Sequence, residues 1–160
     1  MEANPELAAC LLATLDPRDD TRRAAEAALE AGGKQPGFAV ALISIVVQPG
    51  LDAGLRQLAA VVLKKHIKEH WTPESAKFRE PAIGDEEKSR VRALLPAGLG
   101  DNNTKINTAV AMAVAAIAAW DCPQQWPELL PGLVRAITDK TDAALVNGTV
   151  RCFGMFVDEL

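Results

Sequence analysis

The sequence predicts an all-α fold of about four helix pairs stacked in a row, and three observations lead there. Of its 160 residues 49% are hydrophobic, yet only 4% are aromatic and none is Tyr, so Ala, Leu and Val carry the apolar content. Alanine has the best helix propensity and lets helices approach closely. Gly, Pro and capping residues cut the chain into segments of helical length, and no stretch alternates apolar and polar residues between hairpin turns. The pair starts fall near residues 5, 38, 86 and 127, spaced unevenly around ~40 residues.

Asn4 is placed to cap a first helix that Pro5 opens and that runs to about residue 15, where Asp16-Pro17 breaks it. Asp20 or Thr21 caps a second, through Arg22, Arg23, Glu26 and Leu29 to Gly32-Gly33. An apolar helix follows over 38–47 and stops at Pro49-Gly50. The fourth, about 52–71, contains LRQLAAVVLKKHIKEHW. Its Leu55, Leu58, Ala59, Val62, Leu63 and Ile67 recur near i, i+3, i+4, i+7 and form one face to bury. Residues 72–84, with two prolines, make the longest irregular connection. Asp85 caps a fifth helix through Val91 and Leu95, which Pro96 kinks or ends. Asn103 or Thr104 opens a sixth that ends at Trp120, and segments 128–139 and 142–160 follow the turn 121–127.

A two-helix period of this size is that of a HEAT or armadillo solenoid, ~40–47 residues, here with repeats at about 5–31, 37–71, 85–120 and 127–160. A single helical bundle is the alternative. Short connections and a broad apolar stripe on each helix favour stacking. The last helix carries Phe153 and Phe156 but no polar closing face of the kind solenoid ends need. The chain is therefore expected to continue into further repeats, with a protein ending at Leu160 as the alternative.

The formal net charge of −4 argues against general nucleic-acid binding. No secretory signal is read at the N-terminus, and no apolar stretch reaches the ~20 residues of a membrane span. Cys10, Cys122 and Cys152 form no CxxC pair and are read as free thiols of a reducing compartment. His66-Ile67-Lys68-Glu69-His70 formally matches HxxEH, in which two His one helical turn apart hold zinc and Glu acts as base. A third ligand is needed, and Glu128, Asp142 and Glu159 are arbitrary candidates. The competing reading is two solvent-facing His near a helix end, where the dipole favours a cation. With no nucleophile elbow and no phosphate loop, no enzyme and no cofactor are expected.

The basic residues of the fourth helix are the candidate site. Arg56, Lys64 and Lys68 are separated by multiples of four and share one face; Lys65 lies beside them, four residues before Glu69. Such a strip is either a solvated face or a surface for an acidic partner, where it sets orientation and on-rate. Trp71, Trp120 and Trp126 are expected to plug the seams between helix pairs, each indole N–H on a nearby carbonyl.

Three segments together resemble a known family. Residues 23–29, RAAEAAL, resemble the R-x-x-A-E-x-x-L first-repeat signature of importin-β-type transport receptors. Arg56-Gln57-Leu58-Ala59 through Leu63-Lys64-Lys65, then Trp71, resembles their R-x-x-A-x-x-x-L-K-N … W signature, and DCPQQWP at 121–127 is similar to their D-x-P-x-x-W-P turn. Lys77-Phe78-Arg79 and Leu94-Leu95-Pro96 look most like the importin-nine branch. The resemblance implies a right-handed HEAT superhelix of which this chain is the N-terminal segment. It implies a nuclear import receptor shuttling between cytoplasm and nucleus. The implied partners are the small GTPase Ran in its GTP form, basic cargo such as histones or ribosomal proteins, and nuclear pore proteins, with no direct nucleic-acid contact and no membrane insertion. The signature Lys that faces Ran corresponds to Lys64; Lys65 stands where the family usually has Asn, which puts that Asn's hydrogen bond in doubt. The Ran-binding candidates are thus Arg56, Lys64, Lys65 and Lys68. A HEAT scaffold with another protein partner is the alternative.

Overall fold

The computed structural model describes residues 2–139 and 141–159. It holds eight α-helices and one 3-10 segment: α1 Pro5–Ala13, α2 Asp19–Gly32, α3 Phe38–Val46, α4 Ala53–His70, α5 Asp85–Leu94, the 3-10 segment Leu95–Gly100, α6 Thr104–Asp121, α7 Leu129–Thr138 and α8 Ala143–Glu159. No strand occurs among the described residues.

Local chemistry sets several of these boundaries. Asn4 Oδ1 accepts the Glu6 and Leu7 amides at 2.9 and 3.2 Å, and Asn103 Oδ1 accepts those of Lys105 and Ile106 at 3.0 and 3.3 Å. Asp52 caps α4 through the Leu55 amide at 3.1 Å. Each bond satisfies an amide that has no partner inside the helix. Helix α2 departs from expectation: it starts at Asp19 behind Arg18, without a side-chain cap. Asp16 turns the chain just before it, accepting the Arg18 amide at 2.8 Å.

Helix α3 has no local cap. Gly37 enters it at φ 88°, which favours glycine, and Glu87 reaches over from α5. The Glu87 carboxylate accepts the amides of Gly37, Ala39 and Val40 at 2.9, 3.0 and 3.4 Å. A carboxylate at the positive end of a helix is favoured by the dipole as well as by the bonds. Pro96 ends α5 as an α-helix, and the chain tightens into the 3-10 segment.

The pairs stack as the spacing predicts. Helix α3 packs along α4, α4 along α6 and α6 along α8, so α4, α6 and α8 form one continuous layer, with α1 and α2 at one end. In α3, Ala39, Val40, Leu42, Ile43, Ile45 and Val46 are all buried. In the third pair the 3-10 segment, not α5, makes the main contact with α6, and it also packs on α8. Two glycines permit that approach. A Cβ on Gly98 would lie 2.7 Å from Val110 Cγ2, and one on Gly148 would lie 2.0 Å from the Leu99 carbonyl oxygen.

Candidate protein-binding face

Of the face its periodicity predicts, helix α4 buries Leu55, Ala59, Leu63 and Ile67 against its neighbours, with Ala60 in addition, while Leu58 and Val62 are partly buried against the core. Its charged residues do not form a single strip. Arg56 is only 6% exposed. Its Nε and Nη2 donate to the Val46 carbonyl at 3.0 and 2.7 Å, and Nη2 also pairs with the Asp101 carboxylate. The Asp101 carbonyl in turn accepts Asn107 Nδ2 at 3.0 Å, and Asn107 Oδ1 accepts from Arg151. A polar chain thus crosses from α3 through α4 and α6 to α8. Arg56 stitches the stack and is withdrawn from the surface.

Lys65 is exposed and faces another way. It pairs with Glu69 at 3.9 Å and lines the depression between α2 and α4. Lys64 and Lys68 are half-buried and make no ion pair among the described residues. Lys64 Nζ reaches toward α6, 3.9 Å from Met112 Sδ. Lys68 lines a groove of about 390 Å3 between the C-terminal ends of α4 and α6. Two of the four candidates therefore sit together on the α4–α6 face.

His66 and His70 correct the expectation of solvent-facing rings: both are buried. Their centroids are 4.6 Å apart, and Phe38 meets His66 edge-on at 4.9 Å. Burial, reinforced by the charge of His70, lowers the His66 pKa to about 4. His70 Nδ1 lies 2.9 Å from the Pro81 carbonyl and carries its proton toward it. The amides of Arg79 and Ile83 bond the Glu69 and His70 carbonyls at 2.7 and 2.8 Å, so loop 72–84 closes the end of α4. No three His, Cys, Asp or Glu side chains gather as a metal site among the described residues. Of the third-ligand candidates, the Glu159 side chain lies outside what the structure describes.

The turn 121–127 is a structural knot. Asp121 Oδ1 accepts the Trp71 indole N–H at 3.1 Å, and Oδ2 accepts Arg92 Nη1 at 2.7 Å. Its carbonyl takes the Gln125 and Trp126 amides at 2.8 and 3.1 Å. Trp71 thus bonds a carboxylate, not the carbonyl expected, while Lys88 and Arg92 approach its ring at 5.4 and 5.9 Å. Trp71 and Trp126 fill seams, at 2% and 4% exposure. Trp120 does not: it is 45% exposed, on the rim of the Lys68 groove. Met112, Trp120 and Lys77, which also lines that groove, were not foreseen as site residues. The available signal was the four-residue spacing of Met112, Ala116 and Trp120, which follows the narrow uncovered face of α6.

A family profile described as the importin-beta N-terminal domain matches residues 25–101. Importin-11 of Mus musculus is 36% identical over 118 residues, 74% of this chain and 12% of that protein. Importin-9 of Drosophila melanogaster is 33% identical over 110 residues, 67% of this chain and 11% of that protein. Importin subunit beta-5 of Schizosaccharomyces pombe is 32% identical over 142 residues, 88% of this chain and 14% of that protein. Among solved structures, the exportin Cse1 in its cargo-free, cytoplasmic state superposes with a TM-score of 0.81 at 19% identity, over 96% of this chain and 16% of that one. Importin beta superposes with a TM-score of 0.78 at 24% identity, over 95% and 18%. The fold is accordingly a HEAT-repeat superhelix. Signatures in order along the chain, paired helices and these relatives agree: the chain belongs to the importin-β (karyopherin-β) family, and residues 25–101 match its N-terminal domain.

Proposed function

We propose that this chain is the N-terminal part of a nuclear import receptor, and that its α4–α6 face receives the small GTPase Ran in its GTP form. The observation that carries the reading is the pair Lys64 and Lys68. They stand one turn apart on α4 without a carboxylate among the described residues, inside the matched domain. A partner carboxylate would complete each of them, whereas Arg56 already has its own in Asp101. Lys65, paired with Glu69, contributes at the edge of that surface. Basic cargo such as histones or ribosomal proteins and nuclear pore proteins belong to the whole receptor, which moves between cytoplasm and nucleus. Because the chain spans 12% of the mouse importin-11 it matches, those activities are part of the proposal.

Calorimetry with Ran loaded with a non-hydrolysable GTP analogue, and separately with GDP, tests the reading. Binding that requires the GTP form supports it. Equal binding of both forms, or none, leaves the HEAT scaffold with a different partner. Exposed or rim charges are worth up to about 1 kcal/mol each, so reversing either lysine should weaken binding about five-fold.

A further inference from the structure

The three tryptophans divide sharply. Trp71 and Trp126 are buried among helices, whereas Trp120 leaves 45% of its surface to solvent at the last turn of α6. It overhangs the 390 Å3 groove, whose α6 wall is otherwise the small side chains of Ala116 and Ala119 and whose α4 side is Ile67, Lys68 and an edge of the otherwise buried Trp71. A large aromatic beside a recess walled by alanine offers contact area to an incoming side chain at low entropic cost, since its own ring has few torsions to fix.

The rim of the recess is cationic. Lys68 enters from α4 and Lys77 from loop 72–84. Neither meets a carboxylate within ion-pairing distance among the described residues. The loop that carries Lys77 is held in place: Ser75 Oγ donates to the Lys68 carbonyl at 3.5 Å and accepts the Lys77 amide at 3.2 Å. The Arg79 and Ile83 amides anchor the same loop to α4. The charges therefore flank the recess from two sides in a chain whose net charge is −4, which makes the local sign the selective feature.

We propose that the groove beneath Trp120 receives an apolar side chain flanked by carboxylates, with the indole as its wall and Lys68 and Lys77 as its rim. This rests on the reading that GTP-bound Ran docks on the α4–α6 face, and it makes Trp120 the apolar anchor of that contact. Aromatic anchors carry the large effects in an interface, while flanking charges set approach and register.

The test uses the full chain labelled with 5-fluorotryptophan, which gives one fluorine signal for each of its 3 tryptophans. Trp120→Phe assigns its own. Titration with unlabelled Ran bound to the GTP analogue should move the Trp120 signal more than those of Trp71 and Trp126. Trp120→Ala should weaken binding at least about ten-fold and Trp120→Phe far less. The thermal midpoint of Trp120→Ala should stay close to that of the parent, because the side chain is half exposed. If the parent chain does not bind the GTPase, the reading of the partner fails. If it binds while the Trp120 signal stays still, or Trp120→Ala binds within about two-fold of the parent, the anchor alone is overturned. Movement of the signal by a single-stranded oligonucleotide in place of the GTPase also overturns it.

Discussion

The two halves of α4 carry cations with opposite fates. In the N-terminal half, Arg56 is enclosed and shared between the Val46 carbonyl at the end of α3 and Asp101 at the start of the α6 turn. In the C-terminal half, Lys64 and Lys68 look out past Met112 and Trp120 with no carboxylate in ion-pairing reach among the described residues. The difference lies in what the neighbouring pair presents. The α6 cap turn brings a carboxylate up to Arg56, while the later turns of α6 present Met and Ala. Charge alone does not decide the fate of a cation on α4; what the neighbouring helix presents to it does.

Replacing Arg56 should break this contrast most severely. Arg56→Ala leaves the partly buried Asp101 without its counter-charge, and up to about 3–5 kcal/mol of unfolding free energy should be lost in a urea titration. Trp126→Ala, which empties a buried seam, should cost ~3–5 kcal/mol by the same measurement. Similar values for Lys64→Ala would mean that the two halves are not different in kind.

Next in size is the pH response of the buried His66 ring. The His66 pKa is lowered to about 4 in the fold, from 6.5 when unfolded. Protonation therefore favours the unfolded chain. The neutral ring's contribution is intact above about pH 6.5 and is lost progressively as pH falls toward about 4, up to ~3 kcal/mol in all. His66→Phe should flatten that part of the stability–pH curve. An unchanged slope would mean that His66 does not carry the acid sensitivity.

Trp71→Phe keeps the ring in its seam and removes the indole donor from Asp121, which retains Arg92. A loss of ~1–2 kcal/mol is expected in denaturant titrations. Lys64→Glu with Lys68→Glu is the mildest change for the fold, within about 0.5 kcal/mol. It should nonetheless weaken GTP-form Ran binding and reduce the salt dependence of what remains. Loss of stability without loss of binding would invert the assignment of the two halves.

What could be read from the sequence was decided locally. Asn4, Asp52 and Asn103 cap amides within three residues, so residue type and position suffice. The buried stripe of α4 follows from its own period. The cap of α3 was hidden because Glu87 supplies it from 50 residues away from Gly37. Arg56 was hidden the same way, since Asp101 lies 45 residues on. His66 and His70 have the polarity of surface residues, and only Phe38 and the carbonyl of Pro81 explain their burial. Helical spacing put Arg56, Lys64 and Lys68 on one face, but at about 3.6 residues per turn Lys68 stands about 120° round from Arg56, and exposure depends on what lies across each position. Trp120 was misplaced for that reason: it follows the same helix as the core residues, one step from Asp121, yet nothing covers it.

The missing side chain at Gly148 has a geometric consequence for the seating of α8. A Cβ there would stand 2.0 Å from the Leu99 oxygen, about an ångström inside the closest spacing real atoms tolerate. A methyl group would have to push α8 off the 3-10 segment by about that distance, pivoting it where it leans on α6. The absence of one carbon thus sets how closely α8 can seat on the 3-10 segment, backbone touching backbone.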